Sequence, residues 1–306
     1  MTRRGLVLFV LMSLIWGIPY LFIRVAVAEV SPATLVFWRT AIGTAILLPI
    51  ALLRVDLREV LGHWRWVVAF AVVEVAIPWI LLGSAEQRIS SSLAGLLIAG
   101  VPLVGTVVAL ATGAADRLGR SAIVGLLVGL AGVAAIVGGD FRTDDVGALV
   151  AIGGVVIGYA LGPAILARRL AGVSSLGVMA LSLGLTAAVY LPLAAAQWPS
   201  HSPSAQAIGA IAVLGTICTA AAFLMFAALI AEIGPIRATV ITYVNPAIAA
   251  ILGVLVLRES FTPAMAVGFV LVIAGSVLAT RRSGAAETVA RGAHPAATAG
   301  EGELAG

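Results

Sequence analysis

Apolar residues run along this chain in long blocks separated by short polar linkers. The blocks lie near 6–27, 33–53, 66–83, 92–113, 121–138, 147–167, 175–196, 206–230, 236–257 and 263–280. A helix needs roughly 20 apolar residues to cross the hydrocarbon core of a bilayer, so the pattern predicts ten membrane-spanning helices. The linkers, for example Arg54 to Arg65, Ala114 to Arg120 and Gly139 to Asp145, carry nearly all the charge and turn residues. Within the blocks, small residues recur at four-residue spacing, as in Gly154, Gly158 and Gly162, or Gly125 and Gly129. In lipid, such spacing lets helix backbones approach closely, although the abundance of glycine is an alternative source of the pattern.

The ends of the chain read differently. Thr2-Arg3-Arg4 before an apolar run resembles the start of a signal peptide, but no small-residue cleavage site precedes Trp16-Gly17-Ile18-Pro19. The run is therefore expected to be a first, uncleaved span. Residues 281–306 hold no aromatic residue and are rich in Ala and Gly. Such a segment cannot bury a core and is expected to be a disordered tail. Arginine placement sets the expected orientation. With the N-terminus inside, 13 arginines (Arg3, Arg4, Arg54, Arg58, Arg65, Arg117, Arg120, Arg168, Arg169, Arg237, Arg281, Arg282 and Arg291) lie on the cytoplasmic side. Four (Arg24, Arg88, Arg142 and Arg258) lie opposite, and Arg39 falls within a span. Both termini are thus expected in the cytoplasm, with the chain in the plasma membrane.

Composition narrows the chemistry. The chain is 61% hydrophobic and 10% charged, against about 45–50% and about 25% in soluble proteins, and its loops leave no length for a folded soluble module. All 18 basic residues are arginine. Without lysine, no Schiff-base cofactor can be held and no Gly-x-x-x-x-Gly-Lys phosphate loop can exist. Cys218 is alone, so no internal disulfide forms, and His63, His201 and His294 show no ligand spacing. No cofactor, metal or nucleic-acid partner is expected. The expected partners are the lipid bilayer, a small-molecule substrate and, as candidate coupling ion, the proton.

The second half repeats the first with a shift of 143 or 144 residues. Pro19 meets Pro163, Arg24 meets Arg168, Pro49 meets Pro192, Pro102 meets Pro246, Asp116 meets Glu259, Gly125 meets Gly268 and Gly132 meets Gly275. Five spans per half is an odd number, so the second copy enters the membrane from the opposite face, as in many secondary transporters. The expected fold is an all-α integral membrane protein of ten transmembrane helices. They form two inverted five-helix repeats, 1–140 and 141–280, followed by a cytoplasmic tail, 281–306.

The run from Tyr243-Val244-Asn245-Pro246 to Leu257-Arg258-Glu259, with Gly268 and Gly275 beyond it, resembles the closing motif of EamA-type transporters of the drug/metabolite transporter superfamily. Trp16-Gly17 and Trp38-Arg39 add to the resemblance, which covers about 6–280 and is weaker in the first half, where Asp116 stands in place of the usual Glu. The resemblance implies a ten-helix carrier with a central cavity, usually an exporter of small metabolites, amino acids or drugs.

Several residues carry candidate chemistry. Glu74 falls near the middle of the third block, and a midplane carboxylate is costly and functional by default. Pro78, four residues on, cannot donate to the Glu74 carbonyl, so the helix is expected to be distorted there. Glu74 reads either as a proton or substrate site or as the ion-pair partner of Arg39; Arg39 reads either as that partner or as a bidentate holder of a substrate carboxylate. Pro19, Pro102, Pro163 and Pro246 form two repeat-related pairs of expected hinges, and Asn245 adds an amide beside the last. Trp16, Tyr20, Trp38, Trp79, Tyr159 and Tyr243 are candidates for lining a cavity, with the interfacial aromatic belt as the other reading. Trp64 and Trp66 read as belt residues. Asp116 and Glu259 are expected to face the N-terminal dipoles of the fifth and tenth helices. A secondary transporter is the reading favoured, with no catalytic residues. An intramembrane enzyme lacks its motifs here, and a channel would differ from a carrier in showing no counterflow.

Overall fold

The structure, a computed structural model, describes residues 2–111, 119–140, 146–233 and 241–280. Among them, nine helices are long and apolar enough to cross a membrane. In chain order these are α1 (Arg3–Val27), α2 (Pro32–Arg54), α3 (Trp64–Glu86), α4 (Ser91–Ala111), α5 (Arg120–Asp140), α6 (Val146–Arg169), α7 (Ser175–Ala196) and α8 (Ala205–Ile233), and, after α9, α10 (Pro263–Thr280). The intervening α9 (Ile241–Leu257) is apolar with 17 described residues. Asp116 and the tail 281–306 lie outside the described residues. Four helices begin at a serine cap: Ser31, Ser90, Ser174 and Ser204 each accept a hydrogen bond from a first-turn amide of the helix that follows, satisfying a donor that has no intrahelical partner.

Large apolar side chains cover the outside, among them Leu53 at 87% and Leu255 at 67% exposure. That surface suits lipid rather than water. Inside, α2 packs on α7, α3 on α6, α4 on α9, α5 on α10, and the two parts of α1 on α8. The closest approach is between α5 and α10, where Gly125 and Gly132 lie against the backbone at Gly275 and Gly268. The glycine stripe of α6 is used against α3: a methyl group on Gly154 would meet Leu81, on Gly158 the Val73 carbonyl and Pro78, and on Gly162 the Glu74 carboxylate.

The helix ends fall into two groups. At one end, Thr2 and Arg4 of α1 meet Glu232 of α8, Tyr243 meets Thr280, and Arg169 lies over Trp66. At the other, Glu29 accepts from Ser204, Arg24 donates to the Glu86 carbonyl, and Gln87 donates to the Val27 carbonyl.

Glu259 also lies at this second end, but it serves α4 and not α10. Its carboxylate accepts from the amides and hydroxyls of Ser91 and Ser92, at 2.6 to 3.1 Å, so the acid caps the N-terminus of a helix 167 residues away. Arg258 makes this possible by taking a left-handed conformation (φ 58°) that ends α9 and turns the chain back. Gly253 leaves the space, since a side chain there would run into Glu259 and both serines. Glu259 thus serves a helix N-terminus as its position suggests, but that of α4 in place of α10, because sequence order is silent on which N-terminus lies nearest.

The paired prolines differ between the halves. Pro19 follows an interruption of α1 at Ile18, and Pro102 follows a break of α4 at Ala99–Gly100. Pro163 and Pro246 instead lie inside continuous helices. Two residues before the proline, Gly17 and Gly100 stand where the second half has Leu161 and Val244, while Gly162, directly before Pro163, does not interrupt α6. In α4 the Leu103 amide turns to the Gly100 carbonyl at 3.0 Å. Ser276 of α10 then donates to the Ala99 carbonyl at 3.4 Å.

Candidate functional site

The distortion expected at Glu74 takes the form of a π-helical turn, Ala71–Ala76, closed by the Ile77 amide on the Val72 carbonyl. Pro78 withholds the donor that the Glu74 carbonyl would use, and the extra residue in the turn absorbs the mismatch. A second π-helical turn, Thr216–Ala221, lies in α8, 145 residues after the first and thus within two residues of the sequence repeat. It contains no proline and is not followed closely by one, and nothing in the pattern of apolar residues announces it. Such turns occur often at functional sites. Here they set Glu74 and Thr219 at corresponding places in α3 and α8.

Arg39 reaches this second turn and not the first. It is 7% exposed; its Nε donates to Thr219 Oγ1 at 3.0 Å, and its guanidinium carbon lies 3.6 Å from the centroid of the Trp79 ring. A desolvated guanidinium on an aromatic face gains about 2 kcal/mol, which offsets part of the cost of holding it at this depth. The Arg39–Glu74 ion pair considered from the sequence is therefore not formed. Antiparallel neighbours in the sequence suggested it, whereas the actual partner lies 180 residues away. The Glu74 carboxylate packs on Gly162, with Oε2 buried and without a hydrogen-bond partner.

Tyr159 connects these groups. It packs against both of the larger apolar cores and lies within electrostatic reach of Arg39, Glu74 and Glu86. Tyr20, buried on α1, is within reach of Tyr159, Glu86 and Arg39. Glu86 was missed in the sequence because the apolar block ends before it. The helix continues through it, and its side chain is fully enclosed with neither carboxylate oxygen partnered. Arg39, Tyr20, Tyr159, Trp79, Thr219 and Glu86 thus form one polar cluster, with Glu74 at its edge.

The other sequence candidates lie apart. Asn245 is buried on α9; with its amide nitrogen facing them, it donates to the Ile241 carbonyl (2.9 Å) and, across to α1, to the Ser13 carbonyl (3.1 Å). Trp16 packs against Phe223 and Phe226 of α8. Tyr243 faces Thr280 near the helix ends. Trp38 is 37% exposed and packs edge-on against Phe37 and Trp198, as an interfacial belt residue would.

A sequence model described as the EamA-like transporter family matches residues 3–138 and again 145–281. Among curated proteins, the chain is 24% identical over 301 residues to the uncharacterized transporter YvbV of Bacillus subtilis (strain 168), covering 95% of this chain and 96% of that protein. A solved crystal structure superposes with a TM-score of 0.64 at 22% identity over 92% of this chain and 97% of the other. That likeness speaks for the fold alone.

Proposed function

From the premise that this chain belongs to the EamA-like transporter family, within the drug/metabolite transporter superfamily, we propose that it is a secondary active carrier. It exports small organic solutes across the plasma membrane by alternating access. The observation that carries the reading is the double match of one family model to the two halves. Helix pairing supports it: exchanging each of the first five helices with the one five later leaves the set of main contacts unchanged, since α2–α7, α4–α9 and α5–α10 map onto themselves and α3–α6 onto α8–α1. In this reading the ten helices form two inverted five-helix repeats, 1–140 and 141–280, and the termini and the tail 281–306 are cytoplasmic.

The solute binds at the cluster around Arg39, Tyr20 and Tyr159, between the two π-helical turns. Glu74 is the proton-coupling group, because a carboxylate at this depth without a partner is costly unless it has work to do. Trp16, Tyr243 and Asn245 line or brace the inner part of the path, and Trp38 its outer rim. Pro19, Pro102, Pro163 and Pro246 mark the bending points, with α4 the helix most ready to bend.

The test is a solute screen in proteoliposomes containing the purified chain, with and without an imposed pH gradient. Saturable uptake of at least one solute, accelerated by the gradient in the direction of proton exchange, is the expected result. Flux of no solute, or flux that rises linearly without saturation, contradicts the carrier reading.

A further inference from the structure

The Arg39 guanidinium is charged at any attainable pH, yet no described carboxylate is paired with it. Glu86 is within electrostatic reach but has both oxygens unpartnered, and Glu74 is packed on Gly162. One edge of the guanidinium is occupied, through Nε, by Thr219, and one face by Trp79. The edge carrying the two terminal nitrogens makes no hydrogen bond to any described residue. Two parallel N–H groups on that edge match the two oxygens of a carboxylate.

Resting on the carrier reading above, we propose that this free edge of Arg39 anchors the carboxylate of the transported solute, which is a monocarboxylate with an apolar body; Thr219 and Trp79 are the positioning residues that aim it. A single guanidinium with one free edge accommodates one singly charged planar anion. A phosphate dianion would need further cations, but the chain has no lysine, and Arg24 is engaged with the Glu86 carbonyl. The ring of Trp79 and the tyrosines around it suit an apolar remainder.

The experiment compares matched solutes on the full chain in lipid nanodiscs: phenylacetate, 4-methylpentanoate and leucine, each against its primary amide, with phenethylamine as the cationic control. Quenching of tryptophan fluorescence reads binding, and efflux of the labelled acids from proteoliposomes reads transport. At least one acid should bind saturably, and its amide about tenfold or more weaker, since the amide loses one charge-assisted hydrogen bond. Arg39→Gln should abolish this preference, and Arg39→Lys should lose most of the binding because an ammonium cannot present the paired donors. Thr219→Val, similar in shape but without the acceptor, should weaken acid binding while leaving the helices intact, and it decides the matter even where Arg39→Gln fails to fold. Equal binding of acids and amides, preference for the amine, no binding by any acid, or an unchanged preference in Thr219→Val and Arg39→Gln would each overturn the proposal. Saturable transport of amides or amines would overturn it while leaving the carrier reading standing. Absence of carrier-type flux for every solute would instead remove the carrier reading itself.

Discussion

Among single residues, Glu74 and Glu86 hold buried carboxylate oxygens without hydrogen-bond partners. Glu74→Gln keeps the size of the side chain and its place on Gly162 but cannot exchange a proton. It is expected to abolish the pH-gradient dependence of flux while the protein stays folded; an unchanged pH profile in proteoliposomes would assign Glu74 a packing role. Gly162→Ala should have a related effect, since the added methyl group displaces the carboxylate. A different carboxylate has a pH dependence of its own. Hydrogen bonds from Ser204, from its hydroxyl and then its amide, hold the Glu29 carboxyl below the usual carboxylate range. A carboxyl lowered by folding stabilises the folded contact above its unfolded pKa of about 4.3, and that stabilisation is lost as pH falls through the lower folded value. Protection of the Ser204 amide from hydrogen exchange should therefore be full at neutral pH and fall away only in the acid range. Protection that is unaltered in Glu29→Gln would show that the contact does not depend on the charge.

Among the elements, α4 differs from its counterpart α9 in being broken. Pro102→Ala restores a donor to the Ile98 carbonyl and should straighten α4, slowing turnover several-fold with little change in binding, whereas Pro246→Ala should act less because α9 is already continuous. Equal turnover in wild type and both variants, measured in the same membranes, would make the prolines packing features. The start of α4 depends on Glu259. Replacing it by Ala leaves two serine amides without acceptors and should lower stability by about 1–2 kcal/mol, visible in thermal unfolding in detergent.

The same elements show what could be foreseen. Pro78 announced the distortion at Glu74 because a missing N–H is a local, covalent fact. The π-helical turn in α8 has no such marker, so Thr219 is not legible in the sequence, and of the two readings of Arg39 the pairing with Glu74 is the one the structure removes. Contacts across 167 or 180 residues, such as Glu259 with Ser92 or Arg39 with Thr219, are fixed by how the helices assemble, and helix periodicity carries no record of that. Nine spans among the described residues are legible because a bilayer demands long apolar blocks, whereas their ends, as at Glu86, and the breaks at Ile18 and Ala99–Gly100 are not.

For the whole molecule, the start of α1 and the end of α10 lie at one end of the bundle, and Glu29 and Glu259 lie at the other. With Cys218 replaced, single cysteines at Ser31 and Ser202 should react with an impermeant thiol reagent from outside the cell, and one at Ser283 should not; labelling of Ser283 from outside would reverse the orientation. In the proposed cycle the two halves alternate access to a site between them. Counterflow tests it most directly: proteoliposomes loaded with a high concentration of an unlabelled solute found in the screen are diluted into a trace of the same solute carrying a label. A carrier exchanges one for the other, so the label should accumulate transiently inside above its outside concentration, then decline. Label that only rises to equal concentrations, with no overshoot, would contradict alternating access and point to an open pore.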